Sequence, residues 1–380
     1  MTLWRRGGGV VIGLVTVAST GCFAWRGPPI LDLIATREIS CPLGPRDATP
    51  LAIGAFLGDA ETRPGHIGSA IARYSSRVGA PPAIVKSYHS FSSDFSLTGT
   101  DGQVIRAVLA VGTVTPMMSI EPTGPGVPAR GSLAFIADGG ADSVIRVRAR
   151  EISRLIDATT TSPALLIELA AEMNARFGAP WQAGANGDSV ASADFVRMWR
   201  HVVAIFRAED VINVAWVWSA SAGNPYTNRP TGAQHWNWQD RYYPGDDVVD
   251  MVGIHAFNDP RSQGAWVPFE ELVDGDAADH MFTDLLERHP TKGLIFGELA
   301  TDEHPRSRNA KARWITNAFA RVRACPAIRA VVWFDMRKER DWRIASSSRS
   351  WRAFRNAAYS STASRASPDS WYEATAWPPR

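Results

Sequence analysis

The sequence predicts a single-domain α/β fold of the closed (β/α)8 kind, a TIM barrel. Three observations predict it. Eight apolar runs of strand length alternate with amphipathic stretches of helical period, the pattern of parallel β/α units. No run is followed by Gly-x-Gly-x-x-Gly, the turn that would favour a doubly wound sheet. The chain has 380 residues, above the roughly 250 that such a barrel needs.

Strands are predicted at Leu51–Leu57, Ala83–His89, Thr115–Glu121, Ala164–Ala170, Val211–Trp218, Val248–His255, Thr291–Glu298 and Ile328–Phe334. Most are continuous apolar runs, as strands covered on both faces must be. Helical periodicity falls between them, notably over Asp142–Leu155, Ala193–Arg207, Ala278–Arg288 and Arg308–Arg323. The long segment Ala220–Asp247 follows the fifth strand and holds Asn224, Tyr226, Asn228, His235, Trp236, Asn237, Trp238, Tyr242 and Tyr243. Long loops after barrel strands build the active face. Clustered aromatics and amides there would stack on sugar rings and bond their hydroxyls.

Residues 1–22 read as a signal segment. Arg5 and Arg6 precede a short apolar run from Val10 to Ala18, then Ser19-Thr20-Gly21-Cys22. The run is shorter than the about 20 residues that span a bilayer. Gly21-Cys22 resembles a bacterial lipoprotein cleavage site, which would put a lipid anchor on Cys22. Cleavage without lipidation and an uncleaved anchor are the alternatives. Each version places the protein outside the cytoplasm, extracellular or in the cell envelope. Residues 23–48 read as a linker and lead-in, residues 49–359 as the barrel domain, and residues 360–380 as a Ser/Ala/Pro-rich tail without fixed structure.

The two remaining cysteines, Cys41 and Cys325, precede the first and last strands, which are neighbours in a closed barrel. In an exported protein that placement invites a disulfide; the alternative is two free thiols. A net charge of +2 gives no electrostatic case for nucleic acid or an anionic surface. The eight histidines show neither His-x-x-x-His nor mixed Cys/His spacing, so no metal and no cofactor is predicted. No Gly-x-Ser-x-Gly is present, and no Ser/His/Asp arrangement stands out. A monomer is expected.

Chemistry points to two glutamates. Ala164-Leu-Leu-Ile-Glu-Leu-Ala-Ala-Glu172 and Thr291-Lys-Gly-Leu-Ile-Phe-Gly-Glu298 are each a buried-type strand ending in a carboxylate. Carboxylates on opposite sides of a barrel mouth can flank one glycosidic bond, as acid/base and nucleophile. Period-two alternation puts Glu168, Ala170 and Glu172 on one face, and Leu294, Phe296 and Glu298 on another. Both faces are predicted to line the barrel interior. His255 and Phe257 share the inward face of the sixth strand and are candidates to contact substrate; a satisfied core histidine is the alternative for His255. Trp236, Trp238 and Trp266, on loops, are candidate sugar platforms.

At this point the residues resemble glycoside hydrolase family 26. Glu172-Met173-Asn174 with nearby Trp181 is similar to the family's acid/base motif. Trp216-Val-Trp218-Ser219, Tyr242-Tyr-Pro-Gly-Asp-Asp247, Ile295-Phe-Gly-Glu298, Val332-Trp-Phe-Asp335 and Asp341-Trp-Arg-Ile344 follow in the family's order, and Ser119-Ile-Glu-Pro122 fits its third strand. The resemblance spans roughly residues 50–358. It implies a retaining, metal-free barrel acting mostly on β-mannans, with some members acting on β-xylans or β-glucans. It implies Glu172 as acid/base, Glu298 as nucleophile, Trp333 as an aromatic floor, and Trp181 and Trp218 as further substrate contacts.

The chain departs from the pattern. The residue before the acid/base glutamate is Ala171 rather than histidine, and the strand position four before it is Glu168 rather than arginine. The sixth strand carries Phe257 where a tyrosine would support the nucleophile, and Ala175 replaces a glycine. With its supporting groups changed, the barrel could be an impaired polysaccharide binder, a transglycosylase, or an enzyme with altered substrate. Glu168 itself, buried two layers below the rim, requires a cation. Lys86 is the first candidate and Arg329 the second.

Overall fold

The structure, a computed structural model, describes residues 41, 51–58, 62–157, 163–175, 178–182, 190–222, 236–259, 266–278 and 280–359. The signal segment, most of the linker, the 360–380 tail and residues 223–235 of the long loop lie outside them. Eight parallel strands close into one barrel in sequential order. They are β1 (Ala52–Phe56), β2 (Ile84–Ser90), β3 (Thr115–Glu121), β4 (Leu165–Leu169), β5 (Val214–Ser221), β6 (Met251–Asn258), β7 (Gly293–Thr301) and β8 (Ile328–Phe334).

The helices cover the outside. They are α1 (Ile67–Val78), α2 (Thr100–Leu109), α3 (Ser132–Ala137), α4 (Asp142–Ile156), α5 (Val190–Ala208), α6 (Phe269–Asp274), α7 (Met281–Arg288), α8 (Ala310–Ala324) and α9 (Ser348–Ala358). Each of the longer ones buries a single stripe. In α1 it is Ile67, Ile71, Tyr74 and Val78, and the helix stops at Gly79, whose φ of 90° lets its N–H return to the Ser75 carbonyl. In α4 it is Ile145, Ala149, Ile152 and Ile156.

Two apolar layers result. One lies between the strands and the helices. The other is built from strands alone, with Ile84, Met117, Leu166, Val217, Ile295 and Val332 among its members, and fills the lower barrel interior. Strands β5, β6 and β7 start two or three residues later than predicted and run on past the predicted ends. The apolar letters that suggested early starts belong to lead-in turns: Ile212 is 77% exposed. The later ends carry Ser219, Ser221, Asn258 and Thr301, polar residues at or near the mouth that a hydropathy reading cuts off.

The expected disulfide is present. Cys41 and Cys325 are bonded with Cα atoms 5.3 Å apart, tying the lead-in to the residue that ends α8. No helix among the described residues is long and apolar enough to cross a membrane.

Candidate active site

A charged layer sits on the apolar interior plug, at the C-terminal ends of the strands. On β2, Lys86 and Tyr88 share the interior parity of Ile84. The Lys86 ammonium is fully buried and lies 2.6 Å from Glu168 Oε2 and 2.7 Å from Glu298 Oε1. Glu168 on β4 is also fully buried, and its other oxygen is 2.7 Å from His255 Nε2. The Lys86–Glu168 pairing expected from parity is therefore present. Arg329 lies on the outer parity of β8, opposite to Ala330 and Val332, and does not enter the barrel.

The electrostatics follow from this packing. Burial alone would raise the Glu168 carboxyl, but the His255 ring and the Lys86 ammonium hold it far below the usual range. Burial would lower Lys86, and Glu168 and Glu298 outweigh it and raise the ammonium. Burial would also lower His255, yet Glu168, with help from Glu298, raises it to about 10.

Glu298 points into the mouth, though not by simple alternation. Ile295 belongs to the interior plug, whereas Phe296 packs outward on Phe269 and Phe282 of the covering helices. The ladder then slips: Ile254 pairs with Phe296, and His255 with Glu298, so Gly297 is an extra residue. This bulge turns Glu298 inward. Only glycine fits there, because a Cβ on residue 297 would lie 2.7 Å from Glu168 Oε1 and 2.9 Å from His255 Nε2. Tyr88 donates its hydroxyl to Glu298, on the same oxygen that Lys86 reaches.

Glu172 also reaches the mouth by a break in the strand. β4 ends at Leu169, and Ala170 and Glu172 have φ of 49° and 59°. Left-handed backbone at two non-glycine residues costs of order 1–2 kcal/mol each and persists only where surroundings enforce it. Three contacts enforce it here. The Glu172 N–H donates to the Ser219 carbonyl, and Trp181 Nε1 donates to the Ala171 carbonyl at 2.9 Å. Asn174 clamps the Ser221 backbone with both ends of its amide. The Glu172 side chain stays 22% exposed, against 5% for Glu298.

His255 joins the two. Its Nδ1 lies 3.7 Å from Glu172 Oε1 and 3.6 Å from Glu298 Oε2. Those two oxygens are thus at most about 7 Å apart, a bound that admits the spacing of about 5–5.5 Å used in retaining glycosidases.

The other expected contacts divide. Trp333 and Trp218 are fully buried and face the helices, not the mouth. Trp333 packs on Trp314 and Phe354, with its indole N–H on the Trp342 carbonyl. Trp218 packs on Tyr243 and bonds the Tyr242 carbonyl. Parallel strands are apolar on both faces, so the letters did not reveal which face was inward. The inward aromatic of β8 is Phe334, which meets Phe56 at 4.9 Å and Phe257 at 5.4 Å between ring centroids. Phe257 also packs on Trp342, and Tyr88, 38% exposed, edges onto Phe56, so buried Phe56 and Phe334 back the more accessible Phe257 and Tyr88 on one side of the mouth. Trp238 is engaged by the outer wall, with its N–H on Asp284 and Arg288 over its ring. Trp236 accepts the Tyr242 hydroxyl on its carbonyl. Trp266 is half-buried against His304. Its buried indole N–H has no partner among the described residues.

A Ser/His/Asp chain that the sequence concealed also exists. Ser87 Oγ is 2.7 Å from His89 Nε2, and His89 Nδ1 is 2.7 Å from Asp101 Oδ1. It lies on the outer face of β2, and Asp101 also accepts the Asp94 N–H. Ser87 is 4% exposed, so the chain ties a loop to a strand and offers no path to a substrate. Among the described residues no group of three or more His, Cys, Asp or Glu side chains is disposed to hold a metal ion.

No family model matches the chain. A curated relative, endoglucanase H of Acetivibrio thermocellus, is 29% identical over 311 residues, 81% of this chain. The match spans only 30% of that relative's length. Among solved structures, the catalytic domain of a GH26 endo-β-1,4-mannanase from Bacillus sp. JAMB-750 superposes with a TM-score of 0.59 at 18% identity, covering 86% of this chain and 90% of that one. A modular endo-β-1,4-mannanase from Cellulomonas fimi gives 0.57 at 15% identity, covering 84% and 74%. A GH26 β-mannanase from Bacteroides ovatus gives 0.55 at 15%, covering 83% and 90%. The fold is thus one that glycoside hydrolase family 26 mannanases carry, in keeping with the motif resemblance.

Proposed function

We propose that the chain is a retaining glycoside hydrolase that cleaves a β-linked polysaccharide, β-mannan first among the candidates. The observation that carries this reading is the pairing of Glu172 and Glu298 across His255 at the open end of the barrel. Glu298, held by Lys86 and Tyr88, is the nucleophile. Its free oxygen attacks the anomeric carbon and forms a glycosyl ester, while the bond to the leaving oxygen breaks. Glu172, the more exposed, gives that oxygen its proton. It then takes a proton from the water that hydrolyses the ester, restoring both groups. Phe257 and Tyr88, the accessible rings on the Phe56 and Phe334 side of the mouth, supply apolar faces for sugar rings.

The alternative of an impaired binding barrel rested on missing supporting groups. Lys86 and Tyr88 supply a cation and a phenol to Glu298, and the His255 imidazole lies beside both Glu172 and Glu298, all from other strands, which favours the enzyme. The mannanase names of the fold neighbours favour β-mannan, and the endoglucanase name of the curated relative favours β-glucan. The Cys41–Cys325 bridge supports an exported location, since such bonds persist in oxidising compartments. Reducing-sugar release on β-mannan, β-xylan and mixed-linkage β-glucan tests the proposal. Turnover on one polymer is expected; binding without release on any of them would mean a carbohydrate-binding barrel.

A further inference from the structure

We propose that the buried Glu168 carboxylate is a positioning residue that orients the His255 ring so that its Nδ1 serves Glu172 and Glu298 together. The inference rests on reading those two glutamates as the reacting pair. Glu168 itself is sealed under the mouth, with no exposed surface, and touches no substrate.

The argument runs from donors and acceptors. Glu168 is an anion, because one of its oxygens lies 2.6 Å from the Lys86 ammonium. Its other oxygen, 2.7 Å from His255 Nε2, therefore accepts, so Nε2 carries a proton. The same Nε2 is 3.3 Å from Lys86 Nζ, and two donors do not bond each other. Glu168 is thus the group that fixes which ring nitrogen faces down. Nδ1 is then aimed upward, buried, without a hydrogen-bond partner among the described residues, and between two carboxylates at 3.6 and 3.7 Å. A lone pair on Nδ1 would face both negative groups, whereas a second proton would serve both. The surroundings therefore favour the imidazolium, and His255 is indeed shifted up to about 10.

The charged groups facing the ring are Lys86 with the phenol Tyr88 from β2, Glu168 and Glu172 from β4 and its following loop, and Glu298 from β7. Gly297 closes the pocket so tightly that no side chain can come between Glu168 and the ring. A cation fixed at this point holds the two mouth carboxylates towards each other at every stage of a cycle in which one is esterified and the other gains and loses a proton.

The test is NMR titration of the protein with ring-labelled histidine, with the His255 signal assigned through His255→Asn. In the wild type the His255 ring is expected to keep both protons from pH 5 to 9. In Glu168→Gln it should titrate near the ordinary value of about 6.5. A wild-type ring that titrates near 6.5, or one unchanged by Glu168→Gln, overturns the inference. If Glu168→Gln does not fold, Glu168→Asp, which withdraws the carboxylate by one methylene, gives the second reading: a His255 titration moved down is expected, and an unmoved one refutes. None of these readouts needs turnover, so they stand apart from the proposed hydrolysis. Where turnover is measurable, Glu168→Gln should lose about thirtyfold in kcat between pH 5.5 and 8 beyond any wild-type change, the fall in the charged fraction of an ordinary histidine. A uniform loss at all pH values would mark a purely structural role.

Discussion

Replacing Lys86 with Met is the sharpest perturbation of the buried charge layer. Methionine fills similar space without the ammonium. The structure sets the magnitude. Lys86 lies within 2.7 Å of two carboxylates, Glu168 and Glu298, and none of the three side chains is more than 5% exposed. Without it, among the described residues, Glu168 retains His255, and Glu298 the Tyr88 hydroxyl and the more distant His255. Removing one partner of a buried ion pair typically costs about 3–5 kcal/mol, because the other charge is left behind. At roughly 2–4 °C per kcal/mol, Tm should fall by about 10 °C. The double variant Lys86→Met/Glu168→Gln should recover part of that loss, since the stranded charge is removed as well. Thermal melts of the four proteins in the cycle measure it. A single-variant loss under 1 kcal/mol, or a double variant no better than Lys86→Met, would refute the account of the layer.

Other outcomes follow from individual contacts. Gly297→Ala should destabilise by about 1–3 kcal/mol and cut turnover, because the new methyl meets a carboxylate and a ring that neighbours hold in place; a silent substitution would contradict the bulge. Cys325→Ser should lower stability by up to about 5 kcal/mol, since the bridge closes a separation of 284 residues in the unfolded chain; a melting curve that ignores reductant would contradict the bond. His255 is raised when folded, so its contribution is fully present below about 6.5 and is lost as pH rises to about 10. Wild-type stability should therefore decline across that window by up to about 1.4 kcal/mol per pH unit relative to His255→Asn, and parallel profiles would contradict it. Trp333→Phe should lower Tm and leave KM unchanged, while Phe257→Ala, at an accessible ring of the mouth, should raise KM; the reverse pattern would restore Trp333 to the mouth.

The barrel was legible because its signal is repeated eight times, and errors at one strand do not change the closure. Strand ends were read less well where polar residues such as Ser219 and Ser221 continue a ladder into the mouth. Lys86 and Glu168 were legible as a pair because regular alternation holds through β2 and through β4 as far as Leu169. Glu172 and Glu298 are legible as carboxylates that end buried-type strands, but the alternation expected to aim them inward does not hold. Alternation fails at the positive φ of Ala170 in one case and at the Gly297 bulge in the other, and neither break is visible as hydropathy. Glycine before a carboxylate at a strand end was the available signal for the bulge. Trp218 and Trp333 were misplaced because both faces of a parallel strand are apolar, so size and aromaticity carry no direction. Tyr88 shares the parity of Lys86, but nothing in the sequence ties it to Glu298: the phenol arrives from the second strand, whereas the sixth carries Phe257.

In the proposed mechanism Glu298 attacks and Glu172 manages the proton. It is tested most directly by azide rescue on an activated aryl β-glycoside of the polymer's sugar. Glu298→Ala should be inactive alone and should yield the α-glycosyl azide when azide enters the vacated side. Glu172→Ala should accumulate the ester and yield the β-glycosyl azide. Full activity of Glu298→Ala without azide, or the same azide anomer from both variants, would contradict the assignment.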